Sequence, residues 1–359
     1  LAILLGGLLV YDLTQQRHSV LRNFPIIGHF RYGFERLGEY FRQYFFAGDR
    51  EEMPFNRATR SWVYREAKNE GGAIGFGSTN DRREPGTVLF VNHPFPVLEE
   101  DRLPTPPLMI GEGACEQPFL ARSVVNISGM SFGAISRPAV QALSRGAGMA
   151  GCWMDTGEGG LSPYHLEGGC DLIMQIGTAR YGVRDPDGAF SPDRAKEIAR
   201  SVSAFEIKLS QGAKPGHGGV LPGPKVSVEI AAARGVPVGV DCVSPARHSA
   251  FSTPKELLQF VEQLRDLSGG KPTGFKLCIG HPWEWMGIAK AMLETGILPD
   301  FIVVDGAEGG TGAAPLEFTD HIGSPLQEGL LLVHNTLVGL NLRERIKLGC
   351  AGKMVSAFD

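Results

Sequence analysis

What the chain lacks narrows its chemistry first. Its six cysteines, Cys115, Cys152, Cys170, Cys242, Cys278 and Cys350, show no C-x-x-C or comparable ligand spacing. This argues against a zinc or iron–sulfur site built from this chain, and for buried thiols in a reducing compartment. Charge is nearly balanced, 35 Lys and Arg against 39 Asp and Glu for a formal net of -4. With no basic block interleaved with aromatics, nucleic acid is excluded as a partner. No Ser-His-Asp or Cys-His order stands out, and His217, His248, His281, His321 and His334 read as surface or helix-cap residues rather than bases. No G-x-G-x-x-G directly follows the first candidate strand, which weakens a dinucleotide fold. The apolar run at residues 1–10 (LAILLGGLLV) stops before Asp12, short of the roughly 20 residues that span a bilayer. It reads either as the tail of a clipped membrane anchor or as a helix packed on the domain. Arg17, His18 and Arg22 suit a cytoplasmic flank, so the expected location is cytoplasmic with a tether at the N-terminal segment.

Glycine is what the chain has in excess: 48 of 359 residues, nearly twice the usual ~7%, concentrated at the ends of apolar runs. Residues 1–29 form the apolar N-terminal segment. Residues 30–118 read as a helical and irregular lead-in wrapping the main domain, beginning with an aromatic helix at 30–46 of the kind that docks on a core. From 119 onward, short apolar runs alternate with helical ones. Strands are predicted at 123–129, 150–155, 171–177, 204–209, 274–279, 300–305 and 345–350. Helices are predicted at 136–148, 191–202, 226–234, 254–267, 283–295 and 325–343. Strand followed by helix implies a parallel sheet, and strands that each feed a polar loop favour a (β/α)8 TIM barrel, an α/β fold. With seven strands read, the barrel is expected to be truncated before strand eight and so to hold its ligand weakly.

In such a barrel the reacting groups lie on loops at the carboxyl ends of the strands. Those loops carry Gly129-Met130-Ser131-Phe132-Gly133, then Asp155-Thr156-Gly157-Glu158-Gly159-Gly160, then Gln175. Next come Lys208 leading to Lys214, Lys276, the run from Asp305 to Ala313, and Ala351-Gly352-Lys353. Lysines, an amide and glycine turns on one rim suit a flat, anionic, phosphorylated cofactor better than a metal. Lys276 or Lys208 would neutralise charge on a reduced flavin, and the glycines at 306–312 and 352 would cradle a phosphate.

The runs ISGMSFGAIS (127–136), DTGEGG (155–160), EIKLSQGAKPGHGG-x-LPG (206–223) and DGAEGGTGAAPL (305–316) resemble the FMN-binding synthase domain of glutamate synthase, in its stand-alone form without the amidotransferase domain. The resemblance covers about residues 85–359. It implies a barrel that holds FMN and reduces 2-iminoglutarate, formed from the keto acid 2-oxoglutarate and ammonia, to glutamate; the electron donor is unknown. By position it implies flavin contacts from Met130, Ser131, Gly133, Thr156, Gln175, Lys276, Gly309 and Gly310, with Gly352 and Lys353 beside the phosphate. It places Glu158, Lys208, Lys214 and Arg234 around the keto acid, with Ser131 adjacent. Glu158, Lys208 and Lys214 are the expected catalytic groups, Glu158 as a proton relay if burial raises its pKa. An iron–sulfur cluster is implied only beyond residue 359. Three positions depart from the pattern. Val220 stands where the family has a glutamine, His217 where it has an acid and Asp155 where it has an amide. Val220 motivates a second reading, an FMN barrel acting on another amino or hydroxy acid such as an N-substituted glutamate. A third is a non-catalytic barrel binding a phosphometabolite or a partner.

Overall fold

Ser123 Oγ donates to the carbonyl of Val125, and Asn126 donates from Nδ2 to Ser123 O and accepts at Oδ1 from Trp153 N–H. These side-chain bonds compete with a strand ladder. The segment predicted as the first strand therefore keeps a single parallel bridge, Ile127 to Met154. The computed structural model describes residues 1–71, 73, 75–312, 314–356 and 358–359; Ala313, in the predicted cradle loop, lies outside them.

The described residues form two compact units, 1–96 and 97–359. In the second, β1 (Leu108–Ile110) and β2 (Phe119–Ala121) pair antiparallel. The main sheet comprises β3 (Met154–Asp155), β4 (Leu172–Ile176) and β5 (Ala204–Lys208), followed after an excursion by three more strands. The excursion is the short antiparallel pair β6 (Val220–Leu221) and β7 (Cys242–Val243). Then come β8 (Thr273–Leu277), β9 (Phe301–Asp305) and β10 (Lys347–Ala351). The six sheet strands run parallel in the order β10-β9-β8-β5-β4-β3, and Ile127 extends the β3 edge. This is the α/β barrel architecture read from the sequence, with six strands and a bridge in place of seven strands.

Every residue of β4 and of β8 is buried, as expected where helices cover a parallel sheet. The helix Pro254–Leu267 starts on a capping box between Thr253 and Glu256 and buries Leu257, Leu258, Val261 and Leu264. Fully burying such a leucine contributes about 1.5–3 kcal/mol. At the amino ends of the strands, Ile110, Phe119 and Ala121 of the β1–β2 pair pack on Ile173, Ala204 and Phe301. This plug leaves the carboxyl ends as the functional face. It also assigns residues 97–118, read from sequence as part of the lead-in, to the barrel unit.

In the first unit the apolar start is the helix Ala2–Thr14, and among the described residues no helix is long and apolar enough to cross a membrane. The aromatic segment forms the helix Gly28–Phe41, continued through Phe46. Its Phe30, Phe34, Tyr40, Tyr44, Phe45 and Phe46 side chains are exposed.

Candidate active site

The loops predicted to converge do so through a continuous chain of contacts. Gly157 sits against the backbone of Met130 and Ser131, where a Cβ would lie 2.5 Å from Ser131 N. The next residue, Glu158, accepts a hydrogen bond at Oε2 from Lys208 Nζ at 2.9 Å. Lys208 also donates to Gln211 Oε1 at 3.3 Å, and Gln211 Nε2 donates to Gly310 O. Gly309 lies where a Cβ would come within 3.3 Å of Gly352 Cα. Segments separated by more than 200 residues thus share one face.

Electrostatics around Glu158 run opposite to the sequence expectation. Burial would raise its pKa, but Lys208 in contact, helped by Lys214 and Arg234, holds the carboxyl below its usual range. Glu158 is thus held ionised, and the condition set for a proton relay, a carboxyl raised by burial, is not met. Lys214 is buried and gives Nζ to the carbonyl of Gly218; burial and then the neighbouring Lys208 depress its pKa. Arg234 ends the helix Val228–Arg234, donates from Nη2 to Phe132 O, and lies 4.9 Å from the Tyr181 ring centroid. It contributes positive charge behind Glu158 while bracing the first loop.

Beneath these groups lies a buried polar layer on the inner ends of the strands. Gln175 Nε2 donates to Glu206 Oε1 at 2.6 Å and to Asp155 Oδ2 at 3.3 Å. Lys276 Nζ lies 3.8 Å from Asp305 Oδ2. Burial alone would lower the Lys276 pKa, but Asp305, Glu206 and Asp155 outweigh it and hold the ammonium above its ordinary value. Thr156, expected to touch the flavin, is fully buried, and its hydroxyl donates to Gly157 O and accepts from Gln175 N–H. That hydroxyl ties β3 to β4. Gly133 has φ +99° and packs on Leu221 and Ile230, Lys353 has φ +55° in the last turn, and a Cβ on Gly310 would meet nothing within 4 Å. An open cleft is lined by Glu158, Lys208, Gln211, His217 and Gly219 among others. Val220 does not line it and stands half-exposed on β6.

Residues 95–359 match the family model described as the conserved region in glutamate synthase. The chain belongs to the glutamate synthase family. This family is one of flavin-dependent oxidoreductases acting on amino-acid substrates, which removes the non-catalytic reading. The chain is 40% identical to the glutamate synthase large subunit-like protein YerD of Bacillus subtilis, over 99% of this chain and 74% of that protein. It is 36% identical to the archaeal-type glutamate synthase [NADPH] of Thermotoga neapolitana, over 66% of this chain and 44% of that one. It is 31% identical to the glutamate synthase large subunit-like protein of Rhizobium meliloti, over 70% and 54%. The chain thus spans about half the length of the latter two relatives.

In this glutamate synthase-family site several residues were not singled out by sequence reasoning. Gln211 links Lys208 to Gly310, and Glu206 joins Asp305, already read as the start of a rim loop, in the buried layer. His248, read as a surface or cap residue, is buried, stacks on Phe251 at 4.8 Å and bonds through Nε2 to Lys208 O at 2.9 Å. Only the fold reveals it, since 40 residues separate the partners. Burial pushes His248 and His165 down to about 4, so both are neutral at pH 7. Unfolding returns them to ~6.5. Between these values the unfolded chain binds more protons, so stability is expected to fall as pH drops from 6.5 toward 4, by about 3 kcal/mol per imidazole. Melting curves across that window check this, with His248→Gln flattening the slope.

Proposed function

We propose that this chain is the FMN-binding barrel of a glutamate synthase-type oxidoreductase, reducing 2-iminoglutarate, formed from 2-oxoglutarate and ammonia, to glutamate. The observation that carries this reading is the single contact chain from Met130 through Glu158, Lys208 and Gln211 to Gly310. It juxtaposes a glycine-edged cradle and a cleft in which Lys208 faces Glu158. The residues present fit the cofactor. Gly310 leaves open space on the rim, Gly309 sits tight against Gly352, and the Met130–Gly133 loop borders Gly157. Met130, Ser131 and Gly133 would edge the ring and Gly309, Gly310, Gly352 and Lys353 the phosphate, while Gln175 and Lys276 form the buried floor. Bound FMN would supply the hydride for the imine carbon.

The chain's own groups would do the rest. Lys208 and Lys214 would bind the two carboxylates of the keto acid, and Ser131 would border it. Arg234 would add to the attraction as charge; as a bidentate clamp it would have to release Phe132 O and Tyr181. Glu158, held ionised, would accept a hydrogen bond from the substrate nitrogen and orient it. Lys208 Nζ, 2.9 Å from Glu158 Oε2, is the group placed to hand a proton to the new amine. The test is to load the protein with FMN, reduce it anaerobically and add 2-oxoglutarate with ammonium. Reoxidation that needs both additions is the expected result; none with either or both would remove the substrate assignment.

A further inference from the structure

The layer under the cleft holds more acid than the proposed reaction uses. Asp155, Glu206 and Asp305 face a single ammonium, Lys276. All four are buried; three carboxylates against one cation leave two uncompensated negative charges, a large cost in a dry interior. Geometry shows how it is reduced. Asp155 and Glu206 meet at one amide nitrogen, Gln175 Nε2, at 3.3 and 2.6 Å. Gln175 and Glu206 sit opposite each other in the β4–β5 register. Two carboxylates drawn to a single donor are held close enough that both ionise only at high cost. Asp305 has its own donor, Gly212 N–H at 3.0 Å, besides Lys276, and Glu158 above has Lys208.

We infer that Asp155 and Glu206 hold one proton between them across Gln175, and that the pair acts as a charge buffer for the site above. Burial and the facing carboxylate push Asp155 well above its ordinary range, and burial raises Glu206 too, against the pull of Lys276. The pair lies directly under the first loop. A Cβ on Gly129 would fall 2.7 Å from Gln175 Nε2 and 2.8 Å from Asp155 Oδ1. Negative charge arriving on the ring above raises the proton affinity of the pair. The layer answers by taking a further proton from solvent: one carboxyl O–H bond forms as one O–H bond of hydronium breaks, and no side chain moves. The buffering half rests on the flavin reading; the sharing half does not.

Infrared spectroscopy separates the two. In the flavin-free protein at pH 7, a protonated-carboxyl C=O band that shifts in D2O is expected, and it should disappear in Asp155→Asn and in Glu206→Gln. Asp155→Asn keeps an oxygen for Gly157 N–H and offers Glu206 a permanent donor, so it should fold and melt no lower than wild type at pH 8. In the FMN-loaded protein reduced with dithionite, the band should grow in wild type and not in Asp155→Asn. Absence of the band at pH 7, or its survival in both variants, overturns the shared proton. A band unchanged on reduction overturns the buffering, as does failure of FMN to bind, which the visible spectrum reports independently.

Discussion

Lys208→Met is expected to lower turnover by roughly a hundredfold or more, the usual scale for removing a proton-transferring group, and to destabilise the fold by about 3 kcal/mol. Methionine keeps the apolar stem but removes the cation that faces Glu158 at 2.9 Å, where each side chain is only 13% exposed. The stranded carboxylate then follows its burial, and its pKa rises instead of falling. The charge-free double variant, Lys208→Met with Glu158→Gln, should regain much of the stability and none of the activity. A double-mutant cycle combining melts with turnover reads both quantities. A single variant that melts and turns over like wild type would remove the ion pair from the account.

The second large effect separates two kinds of glycine. At Gly212 a Cβ would stand 1.8 Å from Gly306 O, so the loops after β5 and β9 touch backbone to backbone. Gly212→Ala must push them apart and is expected to destabilise by about 3 kcal/mol, misplacing Lys208 and Gly310 together. Gly310→Ala meets nothing within 4 Å. It should leave the melt within about 0.5 kcal/mol of wild type while weakening FMN at least tenfold, because the space it fills is the one assigned to the ligand. Differential scanning fluorimetry and FMN titration of the two variants give opposite patterns if these roles are right. Equal effects of both on stability would show that Gly310 is also a packing glycine.

The alternation of strand and helix was legible because parallel strands buried on both faces read as apolar runs; the predicted helix starts at 136, 191, 226 and 254 fall beside Ser136, Ser191, Ser227 and Thr253, which cap the helices in the structure. The first strand misled, since Val124 and Val125 suit a ladder by type but stand exposed while Ser123 and Asn126 turn the chain. The convergence of glycine loops was legible from the barrel rule. What each glycine faces was not, because Gly212 and Gly310 differ only in what lies across space. The sign of the Glu158 shift was equally hidden: it depends on a lysine 50 residues away winning over burial. The Asp155–Gln175–Glu206 contact needs the β4–β5 register, which no local pattern encodes.

The central claim, that the loops at one end of this barrel enclose a flavin, is tested most directly by titrating FMN with the purified protein and following flavin absorbance and fluorescence at equilibrium. Saturable one-to-one binding, weak as a barrel short of its eighth strand implies and lost on Gly310→Phe, is the expected result. No saturable binding, or binding indifferent to that substitution, would contradict the claim.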